Sequence, residues 1–208
     1  MSATAVSADK IKQLRESSGA GIMDCRKALE ETGGDLEKAS LLLRERGAAK
    51  AAGKMSRKAE EGAIMAYVHQ GGKLAALVEV NCETDFVGRN EEFVGLAREL
   101  AMQIAATSPR WVAKEDVPPA AITAQKAEFA KQAADLGKPV EAFVQERIEQ
   151  WIAQMVLLEQ TYIRDAAVTV AQLVTDRTAK FGERVRVKRF VVYKLGEAPD
   201  DGTVPAAG

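Results

Sequence analysis

The sequence predicts an α+β fold: a small helical bundle followed by an antiparallel sheet packed against helices. Three observations carry that prediction. Up to Leu43, apolar residues recur at helical spacing between glycine turns. From Gly62 the period drops to two, in AIMAYVH and KLAALVEVNCE around Gly71-Gly72. After further helical segments, the β-branched run ERVRVKRFVVYKL returns as a strand.

Each element follows from local chemistry. Ser7 is a good N-cap for a first helix carrying Ile11 and Leu14 and ending near Gly19. The turn at 19–21 opens a second helix with Ile22, Met23, Ala28 and Leu29, closed by Gly33-Gly34. Asp35 caps a third, with Leu36, Ala39, Leu42 and Leu43 on one side. The alternating segments after Gly62 predict a β-hairpin. Asn90, followed by Glu91 and Glu92, marks a helix start, because acids suit the positive end of the dipole. Phe93, Leu96, Leu100 and Ile104 make that helix amphipathic, and Ser108-Pro109 ends it. Pro118-Pro119 opens a segment to Leu136, and Pro139 opens another with Phe143, Ile148, Ile152 and Met155. A last helix runs from Thr169, whose Gln172 fits a capping box, to Gly182.

The composition is 47% hydrophobic and 28% charged, enough apolar material for a core and too balanced for disorder. Lys and Arg number 29 against 30 Asp and Glu, a net charge of −1 that argues against a direct nucleic-acid partner. The balance conceals a division: residues 9–58 carry twelve bases and eight acids, residues 59–108 three bases and eight acids. The basic stretch 44–58 reads as a solvated helix plus linker, with a nucleic-acid arm as the alternative. No run is long enough for a membrane helix and no signal peptide is visible, so the expected location is cytoplasmic.

Catalytic chemistry is missing. His69, the single histidine, sits beside the hairpin turn. Cys25 and Cys82 lie far apart and read as small buried residues, so no zinc site assembles from local spacing. Gly47…Gly53-Lys54 fails as a P-loop: five residues separate the glycines, and Met55 replaces the Ser or Thr. Gly19-Ala20-Gly21 fails as a dinucleotide fingerprint, because Asp24 replaces the third glycine. The expectation is a non-enzyme with no catalytic residues, metal or cofactor.

Two motifs carry a family resemblance. The pattern RxxxGAGxMDC, from Arg15 to Cys25, resembles the N-terminal domain of bacterial translation elongation factor Ts. LVEVNCETDFVGRNEEF, from Leu77 to Phe93, is similar to that family's central signature. With LAMQIAATSPRWVAKEDVP and the closing FGERVRVKRF, the resemblance covers roughly residues 7–196. It implies a ubiquitin-associated-like bundle over residues 1–55 and an αβ dimerisation core over 56–196; the sequence after Gly196 itself reads as a disordered tail over 197–208. The resemblance also implies guanine-nucleotide exchange on the GTPase elongation factor Tu. Thr84, Asp85, Phe86 and Val87 match the element that dislodges the partner's Mg²⁺. Arg15, Ile22 and Met23 match N-terminal contact positions. Gln103 stands where many relatives carry a partner-touching histidine.

From spacing alone, Phe86 reads as core and Asp85 as a cap or Asx-turn; the resemblance makes Phe86 a wedge. The chain resembles the shorter variety of the family, for which a homodimer is expected. Phe143, Ile148, Trp151, Ile152 and the strand 185–192 are candidate subunit contacts, with ordinary core burial as the alternative. A ubiquitin-associated-like adaptor using the first helices is a further reading, but it leaves the acidic central motif unexplained.

Overall fold

The computed structural model describes residues 6–197, so the expected tail lies, from residue 198 on, outside the described residues. Helices α1 (Ala8–Ser18), α2 (Ile22–Glu31) and α3 (Leu36–Ala52) form the predicted bundle. The caps are those the sequence names: Ser7 accepts from the Lys10 amide, and Asp35 from the Glu37 and Lys38 amides. Leu14, Cys25, Ala28, Leu29, Ala39 and Leu43 make its small core.

The hairpin follows as β1 (Glu61–Val68) and β2 (Leu74–Cys82), antiparallel, with Met65 opposite Val78. One helical turn, α4 (Asp85–Gly88), leads into α5 (Glu91–Thr107), capped by Asn90. The Phe93, Leu96, Leu100 and Ile104 stripe is fully buried against the sheet, as its spacing predicts. Two long helices, α6 (Pro119–Asp135) and α7 (Val140–Met155), pack on each other across the Gly137–Pro139 break. Trp111 stacks edge-on against Trp151, with ring centroids 5.5 Å apart.

A short hairpin that the sequence reading missed comes next, β3 (Thr161–Tyr162) with β4 (Asp165–Thr169). Helix α8 (Val170–Phe181) is capped by Thr169, but only half of the expected capping box forms: the Gln172 side chain turns to Asp176 instead. Strand β5 (Arg186–Lys194) then pairs antiparallel with β2, giving the order β1-β2-β5.

One face of this sheet, through Ala76, Val78, Val80 and Val187, packs on α5 in the main core, to which α8 adds Val170 and Leu173. The other face carries Ile64, Val68, Leu77 and Tyr193, all exposed. Alternation along the strands puts these side chains on the surface opposite α5.

Helix α3 belongs to both parts of the molecule. Its first half fills the bundle core through Ala39 and Leu43, and its second half packs on α8. At that crossing a Cβ on Gly47 would stand 3.4 Å from the Ala179 Cβ, so the two backbones come close. Lys54, just beyond α3, donates to the Gly182 carbonyl at 2.6 Å.

Candidate functional site

The segment between β2 and α5 is a tightly held turn. Thr84 has extended backbone and caps α4, its hydroxyl facing the Val87 amide at 3.5 Å. Asp85, in the first turn, pairs with Arg89 at 3.0 Å across one helical turn. Val87 points inward and packs on the main core. Phe86 points the other way and is 84% exposed, the most exposed large apolar side chain among the described residues. The core reading of Phe86 therefore fails: Val87 and Gly88 take the inward side of the four-residue helix, and Phe86 is left facing solvent.

Close packing holds the turn down. Gly88 lies directly over Gly62 at the start of β1, and a Cβ there would come within 3.1–3.2 Å of the Gly62 backbone. Gly62 itself has φ +140°, and a side chain on it would strike the Val80 carbonyl at 2.1 Å. The Cys82 thiol donates to the Thr84 carbonyl at 3.1 Å. Burial, with the nearby Glu183 charge adding to it, pushes that thiol up to about 11.

Two carboxylates tie the turn to the loop between α8 and β5. Glu183 accepts from the Glu83 amide at 3.1 Å, the Thr84 amide at 3.0 Å and the Thr84 hydroxyl at 2.6 Å. Glu83 in return accepts from the Arg184 amide at 2.6 Å and from the Arg57 guanidinium at 3.3 Å. That amide, followed by the arginine, holds the Glu83 carboxyl below its ordinary range.

The N-terminal positions lie on the bundle. Arg15 on α1 is exposed, and Ile22 and Met23 at the start of α2 are 54% and 60% exposed. Arg15 and Ile22 line one groove of about 780 Å³ with Ile11, Glu92 and Lys180. Glu92 and Lys180 pair there at 2.6 Å. The groove thus spans the bundle and the first turn of α5, the helix that follows α4.

Gln103 corrects an expectation. It is completely buried, so it offers no atom to a partner in this conformation. Its amide donates to the Gln160 side chain at 3.0 Å and to the Thr161 carbonyl at 3.1 Å, and accepts from the Ile163 amide at 2.8 Å. A buried amide needs such partners, and the β3–β4 hairpin supplies two of them. Gln103 is therefore an internal tie between α5 and that hairpin.

His69 is exposed beside the hairpin turn and faces the Tyr67 hydroxyl. Cys25 and Cys82 are both buried and free. Among the described residues no group of three or more His, Cys, Asp or Glu is placed to hold a metal ion, and no helix is long and apolar enough to cross a membrane.

The profile of the family described as Elongation factor TS matches residues 4–197. The chain is 50% identical over 195 residues to an elongation factor Ts of Desulforamulus reducens, covering 92% of this chain and 90% of that one. The elongation factor Ts of Coprothermobacter proteolyticus is 50% identical over 195 residues, with 99% of its length covered. That of an Anaeromyxobacter species is 47% identical over 196 residues.

The chain belongs to the elongation factor Ts family.

It is a translation elongation factor, and its function belongs to protein biosynthesis. The aligned relatives are about as long as this chain, since 89–99% of each is covered. In this chain the central motif and the N-terminal motif both present apolar side chains outward, on separate elements. The residues that sequence reasoning missed are those that mount the central motif: Gly62, Gly88, Glu83 and Glu183. Glu83 and Gly88 lie within the central signature and Glu183 within the closing FGERVRVKRF segment, but nothing in those runs marked them for this role.

Proposed function

We propose that this protein is a guanine-nucleotide exchange factor for elongation factor Tu, binding the GDP-loaded GTPase and promoting GDP release. The exposed Phe86 on a fixed helical turn carries the reading. Thr84, Asp85, Phe86 and Val87 form the element that disturbs the partner's Mg²⁺ and phosphate site. Arg15, Ile22 and Met23 make the second contact, on a unit of residues 1–55 docked to a core of residues 56–196.

The mechanism requires no covalent step and no catalytic residue. The factor binds the empty GTPase better than the loaded one, and linkage then weakens the nucleotide by the same factor. Mg²⁺ neutralises charge between the phosphates and the protein, so disturbing the groups that hold it is an efficient lever. A rigid aromatic suits that task because it loses little entropy on insertion. Asp85, with its carboxylate at the base of the wedge, competes for polar groups of the partner's site.

The protein works in the cytoplasm, without membrane or direct nucleic-acid partners, as a homodimer. The outward sheet face with Ile64, Val68, Leu77 and Tyr193 is the better subunit contact. Of the positions considered from sequence, Ile148, Val185 and Val187 are already buried within the chain. Sedimentation at micromolar concentration tests this: a clean 22.4 kDa species excludes the dimer.

The exchange reading is tested by release of fluorescent GDP from purified elongation factor Tu. Strong acceleration by catalytic amounts of this protein is expected, and an unchanged release rate overturns the proposal.

A further inference from the structure

We propose that Glu183 is a positioning residue for the Thr84–Val87 turn, fixing the attitude in which Phe86 is presented. The inference rests on the exchange reading above and extends it to a residue 99 positions away in sequence.

Three donors from two consecutive residues converge on this one carboxylate: the amides of Glu83 and Thr84 and the hydroxyl of Thr84. A carboxylate is the side chain best suited to this, having two oxygens and no hydrogen to misplace. The Thr84 hydroxyl has a single proton, and at 2.6 Å it goes to Glu183. Only its lone pairs then remain for the Val87 amide, so Glu183 also fixes the sense of the cap on α4.

The attachment is reciprocal. Glu83 takes the Arg184 amide while Glu183 takes the Glu83 and Thr84 amides, so residues 83–84 and 183–184 are cross-linked in both directions. Arg184 from the same loop and Arg186 at the start of β5 reach the carbonyls of Arg57 and Ala59, in the segment joining α3 to β1. The wedge and the chain leading from the bundle are thus referenced to one loop. A wedge that displaces groups in its partner must be stiff at its base, because a yielding mount absorbs binding energy that should distort the nucleotide site.

The test measures release of fluorescent GDP from elongation factor Tu at saturating and sub-saturating factor, for wild type, Glu183→Ala, Glu183→Gln and Glu183→Asp. The expected result for Glu183→Ala is a maximal release rate about tenfold lower, the order of one charge-assisted hydrogen bond, with half-saturation changed less than about twofold. Glu183→Gln keeps an oxygen for the two amides, and its rate returns to within about threefold of wild type. Hydrogen exchange of amides 83–88 accelerates in Glu183→Ala while the β1–β2 amides stay protected.

A wild-type maximal rate in Glu183→Ala, or a loss confined to half-saturation, overturns the proposal. If Glu183→Ala does not fold, Glu183→Asp decides, since its carboxylate is one methylene too short to hold all three donors; a wild-type rate there overturns the proposal equally. If the wild-type protein itself leaves GDP release unchanged, the exchange reading fails. The hydrogen-exchange comparison then still decides whether Glu183 holds the turn.

Discussion

Two helix starts in this molecule present apolar side chains to solvent, and they are mounted in opposite ways. Ile22 and Met23 open α2 behind Gly21, which offers no side-chain cap, on a bundle whose core is six buried residues. Phe86 opens nothing longer than a single turn. That turn is held by a threonine cap, a glycine-on-glycine contact and a carboxylate from the far end of the chain. Small cores have little stability in reserve, so the bundle surface can adjust to what it meets. The turn cannot adjust without breaking several bonds at once. On the exchange reading proposed above, the contrast would separate a surface that docks from one that pushes.

The strongest way to break the contrast is to remove the mounting. Gly62→Ala places a Cβ against the Val80 carbonyl at a backbone angle hostile to side chains. A loss of about 3 kcal/mol in unfolding free energy is expected by urea denaturation, with exchange activity falling in parallel. Next is the wedge itself: Phe86→Ala should reduce maximal GDP release about 30-fold or more. Because the ring is exposed, its unfolding midpoint should stay at the wild-type value; a shifted midpoint would return Phe86 to the core. Met23→Ala is expected to do less, raising half-saturation about fivefold and leaving the maximal rate alone. A drop in maximal rate instead would make the bundle a second lever.

The smallest effect is read from the two thiols, one in each region. Cys82 is held neutral by burial, its ordinary value of 9.0 raised to about 11. Folding thus favours the protonated form, so its contribution to stability is complete below pH about 9 and is lost as the pH rises through about 11. Cys25 lies in the small bundle core. Alkylation of the native protein at pH 9 should modify Cys25 a few times faster than Cys82, because the bundle opens more readily. Equal rates would place both regions in one cooperative unit.

Much of the fold was legible because its signals are local. The caps at Ser7, Asp35, Asn90 and Thr169 and the buried stripe from Phe93 to Ile104 depend only on neighbours within a turn or two. What escaped depends on distant partners. Four residues are too few to show a helical period, so α4 was visible only as a motif shared with a family. Gln103 sits three positions from Leu100, within the reach of the buried stripe, but a polar residue there reads as the edge of the face. The hairpin that encloses it starts 58 residues later and has no glycine turn to announce it. Glu183 is one carboxylate among many until the sheet brings β5 back beside β2. Phe86 was legible through the family motif, and its mounting was not.

Helix α3 has a geometric consequence of its own. Its bundle half and its α8 half are parts of one rod of 17 residues, about 25 Å long. Adding a single residue between Leu43 and Gly47 would rotate one end relative to the other by about 100° and advance it by about 1.5 Å. Met23 would then face a different direction while Phe86 stayed where it is. The length of this connecting rod, counted in whole residues, sets the phase between the exposed Met23 and the exposed Phe86.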